Sequence, residues 1–202
     1  FGRTGNVWGC QTMNIKPDIL TCAKALSASF LPISAVMINE RVYQALMSES
    51  SKIGTWGHGF TYSGHPVAAA VAMETQKIYD EIDLFGHAKR LSPAFGKHIQ
   101  SFANHPLVGE AMSVGMVGAL EIVADKKTKA PFDIGGAAGV AGGKVATHAQ
   151  SLGLLVRNMG DRVAVCPPLI INEAELDDLF GRLRKSLDAA LGELKAEGHF
   201  KG

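Results

Sequence analysis

Cysteine is scarce in this sequence, and the cysteines that are present follow no recognisable pattern. Only three occur among 202 residues, at Cys10, Cys22 and Cys166. An odd number of widely separated cysteines argues against a disulfide framework and predicts a reducing compartment, the cytoplasm. Because no Cys or His pair has the spacing of a zinc site, we expect no metal centre.

Long apolar runs and an excess of one charge are missing as well. No run is long enough to cross a bilayer, and the first residues lack the basic head and apolar stretch of a signal peptide. The 20 basic and 19 acidic residues are mixed along the chain and give a net charge of +1. Without a basic stripe or an acidic tail, the sequence predicts no nucleic-acid partner and no membrane attachment.

The composition itself is typical of a globular protein with a real core, because hydrophobic residues make up 47% and charged residues 19% of the chain. The sequence opens without Met, inside a turn bracketed by Gly2 and Gly5. We therefore expect that an earlier portion of the polypeptide precedes Phe1.

Secondary structure is predicted from apolar periodicity, capping residues and Pro or Gly signals. The first predicted strand is taken as buried, and residues 51–65 are predicted to be a loop. The predicted strands are residues 18–21, 33–38, 111–114, 116–123, 154–156 and 163–165. The predicted helices are residues 39–47, 66–82, 88–103, 138–151 and 172–194.

The last helix has the clearest pattern, because its leucines recur at spacings of three and four and so share one face. Asn172 is a suitable N-cap for it, and Glu173 and Glu175 suit its first turn. The leucines of this face are Leu176, Leu179, Leu183, Leu187, Leu191 and Leu194.

The character of the chain changes near Phe85. Residues 1–84 alternate strands and helices, as in α/β proteins, whereas residues 85–202 predict an α+β domain. The first part has too few strands to close a sheet by itself, which again favours a preceding portion.

Lys24 is the first candidate for chemistry. It follows the strand predicted at residues 18–21 and stands among small side chains such as Ala23, Ala25 and Ser27. Free lysine has a pKa of roughly 10.4, and burial or a neighbouring positive charge lowers this pKa and leaves a nucleophilic amine. Local features by themselves favour the alternative, a lysine that points into solvent at a strand end.

Four segments together resemble class III aminotransferases, the ω-aminotransferase group of fold-type I pyridoxal-phosphate enzymes. Residues 16–36 resemble that family's lysine segment, and residues 1–5 resemble the turn before it. Residues 58–66 resemble its phosphate-contacting loop, and residues 157–169 resemble the segment with its substrate arginine. The segments occur in the family's order and cover nearly the whole chain.

The resemblance implies a fold and a role for each part. The fold would be α/β of the fold-type I class. Residues 1–84 would be the end of the large mixed-sheet cofactor domain, and residues 85–202 would be the small α+β C-terminal domain.

The resemblance also assigns site residues. Lys24 would hold pyridoxal 5′-phosphate as a Schiff base and carry out catalysis. Thr61 and Phe60 would bind the cofactor, with Thr61 contacting the phosphate in the neighbouring subunit of a homodimer. Arg157 would receive the substrate carboxylate, and Trp56 would line the substrate pocket.

Local patterns leave other interpretations open for three of these residues. Thr61 also suits a turn residue that caps the helix starting at Pro66, and Trp56 suits a buried loop anchor. Arg157 also suits a surface salt bridge, and Arg162 is a weaker candidate for the substrate carboxylate.

The glycine-rich stretch 135–145 superficially resembles a phosphate-binding P-loop. Ala138 stands where the first glycine is required, and Val145 stands where Ser or Thr must hold magnesium. We therefore interpret the stretch as a loop that enters a helix.

The implied activity moves an amino group from an amine or ω-amino acid to a keto acid such as pyruvate, in two half-reactions with Lys24 transferring the proton. The family's remaining cofactor contacts would lie upstream of Phe1, so we expect these 202 residues alone to be inactive. The alternatives are a decarboxylase or aminomutase of the same fold, or a non-catalytic dimerisation or binding module derived from the family.

Overall fold

The structure, a computed structural model, describes residues 1–200 and divides them into two compact units. The first unit consists of Phe1 and Asn6–Phe85. The second consists of Gly2–Gly5 and the residues from Gly86 onward.

The first unit combines three helices with a two-stranded sheet. Strands β1 and β2 pair antiparallel, with Ile19 opposite Ile38. The elements are α1 (Gly9–Thr12), β1 (Ile19–Cys22), β2 (Ala35–Ile38), α2 (Glu40–Ile53) and α3 (Pro66–Glu81).

Helix α2 starts where the sequence predicts and ends later. The side chain of Asn39 accepts a hydrogen bond from the backbone N–H of Val42 at 3.0 Å, which confirms the predicted N-cap. The helix continues to Ile53 instead of ending near Met47, so the loop begins at Gly54. Leu46 and Ser50 lie partly buried along the helix. Because Ser50 is polar, the apolar pattern of the sequence did not predict the last turns of this helix.

The buried face of α3 consists of small side chains. Val67, Ile78 and Ile82 recur at helical spacing in the sequence, yet they are 57%, 45% and 51% exposed. The buried positions are Ala68, Ala72 and Thr75. Small side chains line this face because a 3₁₀ turn, Lys24–Ser27, packs directly against the helix.

Strand β1 is not buried in the described unit, contrary to the prediction. Ile19 is 54% exposed, and the strand has only β2 as a hydrogen-bonded neighbour. Several other large apolar side chains of this unit are also exposed. They include Phe30, Val36, Ile53, Phe60 and Tyr62.

The second unit is built on a four-stranded antiparallel sheet with strand order β3-β4-β6-β5. Helix α4 begins in the last residues of the first unit and lies mostly in the second. The elements are α4 (Leu84–Ser101), a 3₁₀ turn (Phe102–Asn104), β3 (Val108–Val114), β4 (Val117–Ile122), α5 (Val140–Ser151), β5 (Arg157–Met159), β6 (Arg162–Val165) and α6 (Glu173–Ala196).

The core of this unit lies between one face of the sheet and helices α4, α5 and α6. Along β4 every second residue is buried, as expected when one face of a sheet is covered. In α6 the predicted leucine face is confirmed, because Leu176, Leu183, Leu187 and Leu194 are almost completely buried. The α6 cap is confirmed by hydrogen bonds that Asn172 and Glu175 exchange.

The strand predicted at residues 154–156 is wrong by three residues. Leu154 and Val156 pack against the core, while Leu155 is 83% exposed. The strand itself is β5, whose register is set by pairing of Arg157 with Ala164 across a tight turn. The apolar side chains of Leu154 and Val156 therefore indicated burial and not strand pairing. The turn between β5 and β6 sets which residues form the hydrogen-bonded ladder.

No helix within residues 1–200 has both the length and the apolar character that a membrane crossing requires.

Candidate active site

Lys24 opens the 3₁₀ turn that follows β1, and this turn is attached to α3 by side-chain hydrogen bonds. The Tyr79 hydroxyl donates to the Ala25 carbonyl and the Gln76 side-chain amide donates to the Leu26 carbonyl, each at 3.0 Å. Burial raises the pKa of Tyr79, which keeps its hydroxyl protonated as a donor. The backbone beside Lys24 is therefore held from two points on a rigid helix.

Two further features restrict the turn. The Ser27 hydroxyl is buried and donates to the Leu31 carbonyl at 2.7 Å. Lys24 itself has φ of 55°, a left-handed conformation that non-glycine residues seldom adopt and that is often found at functional sites.

The Lys24 side chain is exposed in the described residues, so the desolvation expected from the sequence is not supplied by them. Within residues 1–200 its amine has no hydrogen-bond or ion-pair partner. The amine is thus presented at the surface of its unit without being committed to a neighbouring carboxylate.

Thr61 lies in an exposed turn before α3. Two hydrogen bonds close the turn. The Ser63 N–H donates to the Phe60 carbonyl, and the Phe60 N–H donates to the Ser63 hydroxyl. The N-cap of α3 is His65, and no side chain caps this helix, so the alternative role of Thr61 as a cap is wrong. The Thr61 hydroxyl has no partner in the part of the chain that the structure describes.

Aromatic side chains line up beside this turn. Trp56 stacks on His58 with ring centroids 5.9 Å apart, and His58 meets the edge of Phe60 at 5.4 Å. Trp56 is 60% exposed, which contradicts the alternative of a buried loop anchor. Phe60 also lines an open, mainly apolar cleft of about 960 Å³ whose other lining residues are 31–34, 62–65 and 67–69.

Helix α3 separates Lys24 from Thr61 within one chain. The Lys24 turn is attached at Gln76 and Tyr79, whereas Thr61 precedes the start of the helix at Pro66. Ten residues of helix between Pro66 and Gln76 correspond to about 15 Å of axial length. The two residues therefore lie toward opposite ends of the helix.

Arg157 is the first residue of β5, in the second unit. It is exposed, and its guanidinium has no hydrogen-bond or ion-pair partner among the described residues, which contradicts the alternative of a surface salt bridge. Arg162 is different, because it forms an ion pair with Glu121 at 3.0 Å. Of the two arginines, Arg157 is the one available for a carboxylate.

One positioning residue was missed by the sequence-based reasoning. Arg3 donates hydrogen bonds to the carbonyl oxygens of Met116 and Pro167, and burial lowers the pKa of its guanidinium. It thereby ties the first turn of the chain to the segment that follows β6. The glycine-bracketed turn was recognised, but the sequence gives no indication of partners more than 100 positions away.

The side chains of Lys24 and Thr61 fit the chemistry of pyridoxal phosphate. An uncommitted primary amine suits its carbonyl carbon, and an uncommitted hydroxyl in a glycine-containing turn suits its phosphate. Residues 1–200 contain no group of three or more His, Cys, Asp or Glu side chains placed to hold a metal ion.

Comparison with protein families gives one match over most of the chain. The family model described as "Aminotransferase class-III" matches residues 1–187. Gamma-aminobutyrate transaminase 1, mitochondrial, of Oryza sativa subsp. indica is 40% identical over 200 residues, covering 98% of this chain and 38% of the relative. Gamma aminobutyrate transaminase 3, chloroplastic, of Solanum lycopersicum is 38% identical over 204 residues, covering 100% of this chain and 39% of the relative.

Solved structures of transaminases also match the chain. A transaminase with L-alanine is 46% identical, has a TM-score of 0.92 and is matched over 96% of this chain and 45% of its own. The omega transaminase from Pseudomonas jessenii in complex with PMP is 44% identical, with a TM-score of 0.90 over 96% of this chain and 42% of its own. The chain thus spans roughly two fifths of the length of these relatives.

Proposed function

The chain belongs to the class III aminotransferase family, and we propose that it supplies the lysine and the substrate arginine of a pyridoxal-phosphate-dependent transaminase. The observation that carries this proposal is the Lys24 turn. Its backbone is held by Tyr79 and Gln76, while its amine is exposed and unpaired in the described residues. A fixed backbone with an available amine is what covalent attachment of a carbonyl cofactor requires.

In this proposal Lys24 acts twice. Its amine holds the cofactor at rest, and once released it accepts a proton from the substrate carbon that bears the amino group. With a keto acid as substrate, the same amine returns a proton to the corresponding carbon. Bound pyridoxal phosphate supplies the electron sink for this proton transfer.

The substrates in this proposal are an amine or ω-amino acid as donor and a keto acid such as pyruvate as acceptor. The unpaired guanidinium of Arg157 would bind the acceptor's carboxylate in bidentate fashion. Two relatives support the choice. Gamma-aminobutyrate is an ω-amino acid, and L-alanine, present in a solved neighbour, is the amino acid that corresponds to pyruvate.

We further propose a homodimer in which Thr61 contacts the cofactor phosphate of the neighbouring subunit, beside Phe60 and the substrate-facing Trp56. The support is the location of Thr61 and Lys24 toward opposite ends of α3, which makes a shared site within one chain unfavourable. Residues 1–84 would complete the cofactor domain and residues 85–202 would form the small domain. We expect these 202 residues by themselves to lack activity.

The compartment proposed is the cytoplasm. All three cysteines are unbridged thiols, as is usual in a reducing environment. Several relatives are described as mitochondrial or chloroplastic, so fractionation of cells that express the full-length protein at natural levels is the appropriate measurement. Enrichment in an organelle would contradict the cytoplasmic assignment.

The cofactor lysine is tested by chemical labelling. The full-length protein, loaded with pyridoxal phosphate, is reduced with borohydride, digested and mapped by mass spectrometry. We expect the added mass on Lys24, and a Lys24→Ala variant should carry none on this peptide. Label on any other lysine would contradict the assignment. Analysis of the products formed from an amine and pyruvate separates transamination from decarboxylation or amino-group migration.

The shared site is tested with mixed dimers. Lys24→Ala and Thr61→Ala subunits of the full-length protein are co-expressed with different tags, and the heterodimer is purified. If Thr61 serves the neighbour's site, one of the two sites regains both residues, and about half of the wild-type activity should return at limiting cofactor. If both residues serve the same subunit, neither site is intact and activity should stay low.

A further inference from the structure

The glycine-rich segment before α5 has no part in the proposed reaction, yet it contacts the strand pair that carries Arg157. Strands β5 and β6 are joined by a two-residue turn, Gly160 and Asp161. The Asp161 carboxylate accepts a hydrogen bond from the backbone N–H of Gly142, in the first turn of α5, at 2.7 Å. A carboxylate at this position is favoured by the helix dipole. Asp161 therefore caps α5 from another element.

Two glycines permit this close approach. A Cβ atom on Gly139 would lie 2.9 Å from the Cα of Gly160, and one on Gly142 would lie 2.6 Å from the Gly160 carbonyl oxygen. Gly139 also has φ of 84°, which disfavours any other residue. By contrast, a Cβ on the next residue, Gly143, would come no closer than 3.9 Å to Asn158.

The same turn is also tied to the sheet. The backbone N–H of Ile122, at the end of β4, donates to the Asp161 carbonyl at 2.8 Å. Arg157 opens β5, three residues before Gly160 of the turn, and pairs with Ala164 of β6. Helix α5 and strand β4 therefore both hold the turn that follows Arg157.

We propose that Asp161, Gly139 and Gly142 are positioning residues that set the location of Arg157 for recognition of the substrate carboxylate. The proposal rests on the function proposed above for Arg157. A planar guanidinium binds a carboxylate through two parallel hydrogen bonds, so a small displacement of its strand weakens carboxylate binding specifically. Substrates without a carboxylate do not use this contact and are insensitive to it.

The test compares Gly142→Ala with Gly143→Ala in the full-length protein loaded with pyridoxal phosphate. Both variants add one methyl group to α5 and gain the same helix propensity. Only the methyl group at position 142 would collide with the turn of Gly160 and Asp161. The two half-reactions are measured separately, with pyruvate and with a carboxylate-free amine such as benzylamine. Gly142→Ala should raise the KM for pyruvate about tenfold and leave the KM for benzylamine within about twofold, whereas Gly143→Ala should change neither.

A second pair of variants probes the carboxylate. Asp161→Ala should also raise the KM for pyruvate. Asp161→Asn keeps an oxygen acceptor for the Gly142 N–H, so its KM for pyruvate should stay close to the wild-type value. An unchanged KM for pyruvate in Gly142→Ala, or equal increases for both substrates, would overturn the proposal.

Failure of the proposed function gives a different result. A wild-type protein that aminates no keto acid would contradict transamination itself. Hydrogen exchange then decides whether the turn is held as described, because Gly142→Ala should speed exchange in residues 157–165 and Gly143→Ala should not. Equal exchange in the two variants would overturn the positioning role on its own.

Discussion

At the scale of single residues, the candidate site is defined by polar groups that have no partner inside the described chain. Lys24, Thr61 and Arg157 each present an uncommitted functional group. Comparable residues nearby are already engaged, such as Arg162 with Glu121 and Ser63 with the backbone of Phe60. An exposed group without a protein partner can bind a ligand directly, whereas an engaged group would first have to give up an existing hydrogen bond.

Replacement of Arg157 should separate the two kinds of substrate. Arg157→Ala removes a charged, bidentate partner, so we expect the KM for pyruvate to rise about 10- to 100-fold. The KM for a carboxylate-free amine should change little. Half-reaction kinetics provide the measurement, with Arg162→Ala as the matched arginine control. Similar losses for both substrates would remove the proposed role of Arg157.

Replacement of Thr61 should weaken cofactor binding. Thr61→Ala deletes one hydrogen bond to a charged phosphate, and we expect the Kd for pyridoxal phosphate to rise about tenfold. Thr61→Ser keeps the hydroxyl and should bind almost normally. Titration of the cofactor-free protein measures the effect, and Thr55→Ala is the control in the same exposed loop. Equal affinity of Thr61→Ala and wild type would contradict the assignment.

At the scale of elements, two turns that adjoin candidate residues are each held by a helix. Helix α3 holds the Lys24 turn through Gln76 and Tyr79, and helix α5 holds the turn that follows Arg157 through Gly142. Both contacts use side-chain or backbone donors that reach across to another element. Each of these two turns is therefore held by a helix that does not contain it.

Helix α6 offers a test of element stability. Asn172 and Glu175 form a reciprocal capping box at its start. Asn172→Ala should reduce the free energy of unfolding by about 1 kcal/mol, because the N–H of Glu175 loses its acceptor. Chemical denaturation of the full-length protein provides the measurement. Glu173→Ala, in the same exposed first turn but outside the box, should cost less, and an equal loss would contradict the capping argument.

At the scale of the whole molecule, the second unit contains a buried histidine that links its stability to pH. His105 is 4% exposed, accepts a hydrogen bond from the Leu107 N–H on Nδ1 and contacts Asp188 through Nε2. Burial lowers the pKa of His105, helped by Arg184 and Lys126 and opposed by Asp188. The folded state therefore favours neutral imidazole more strongly than the unfolded state does.

The sign of the pH dependence follows from this shift. The unfolded chain binds the proton at higher pH than the folded chain, so this contribution to stability is complete above about pH 6.5 and is lost as pH falls further. The free energy of unfolding should decrease between pH 7 and pH 5. His105→Gln should flatten this slope, while His58→Gln, in an exposed loop, should not. Equal slopes in wild type and His105→Gln would contradict the prediction.

Features that depend on local order could be predicted from the sequence. It predicted the α/β class that the solved transaminases confirm, the caps at Asn39 and Asn172, the leucine face of α6 and the family. Caps and helix faces are set by residues three or four positions apart, so they can be recognised along the chain. The motifs that carry the resemblance are likewise continuous segments.

Tertiary structure alone decided which contacts form between distant segments. The small residues of α3 are buried because the Lys24 turn packs there, and β5 starts at Arg157 because that residue pairs with Ala164 of β6. The carbonyl partners of Arg3 and the amide partner of Asp161 are equally invisible in the sequence. Long-range hydrogen bonds and close approaches depend on where the chain returns in space, which local patterns do not encode.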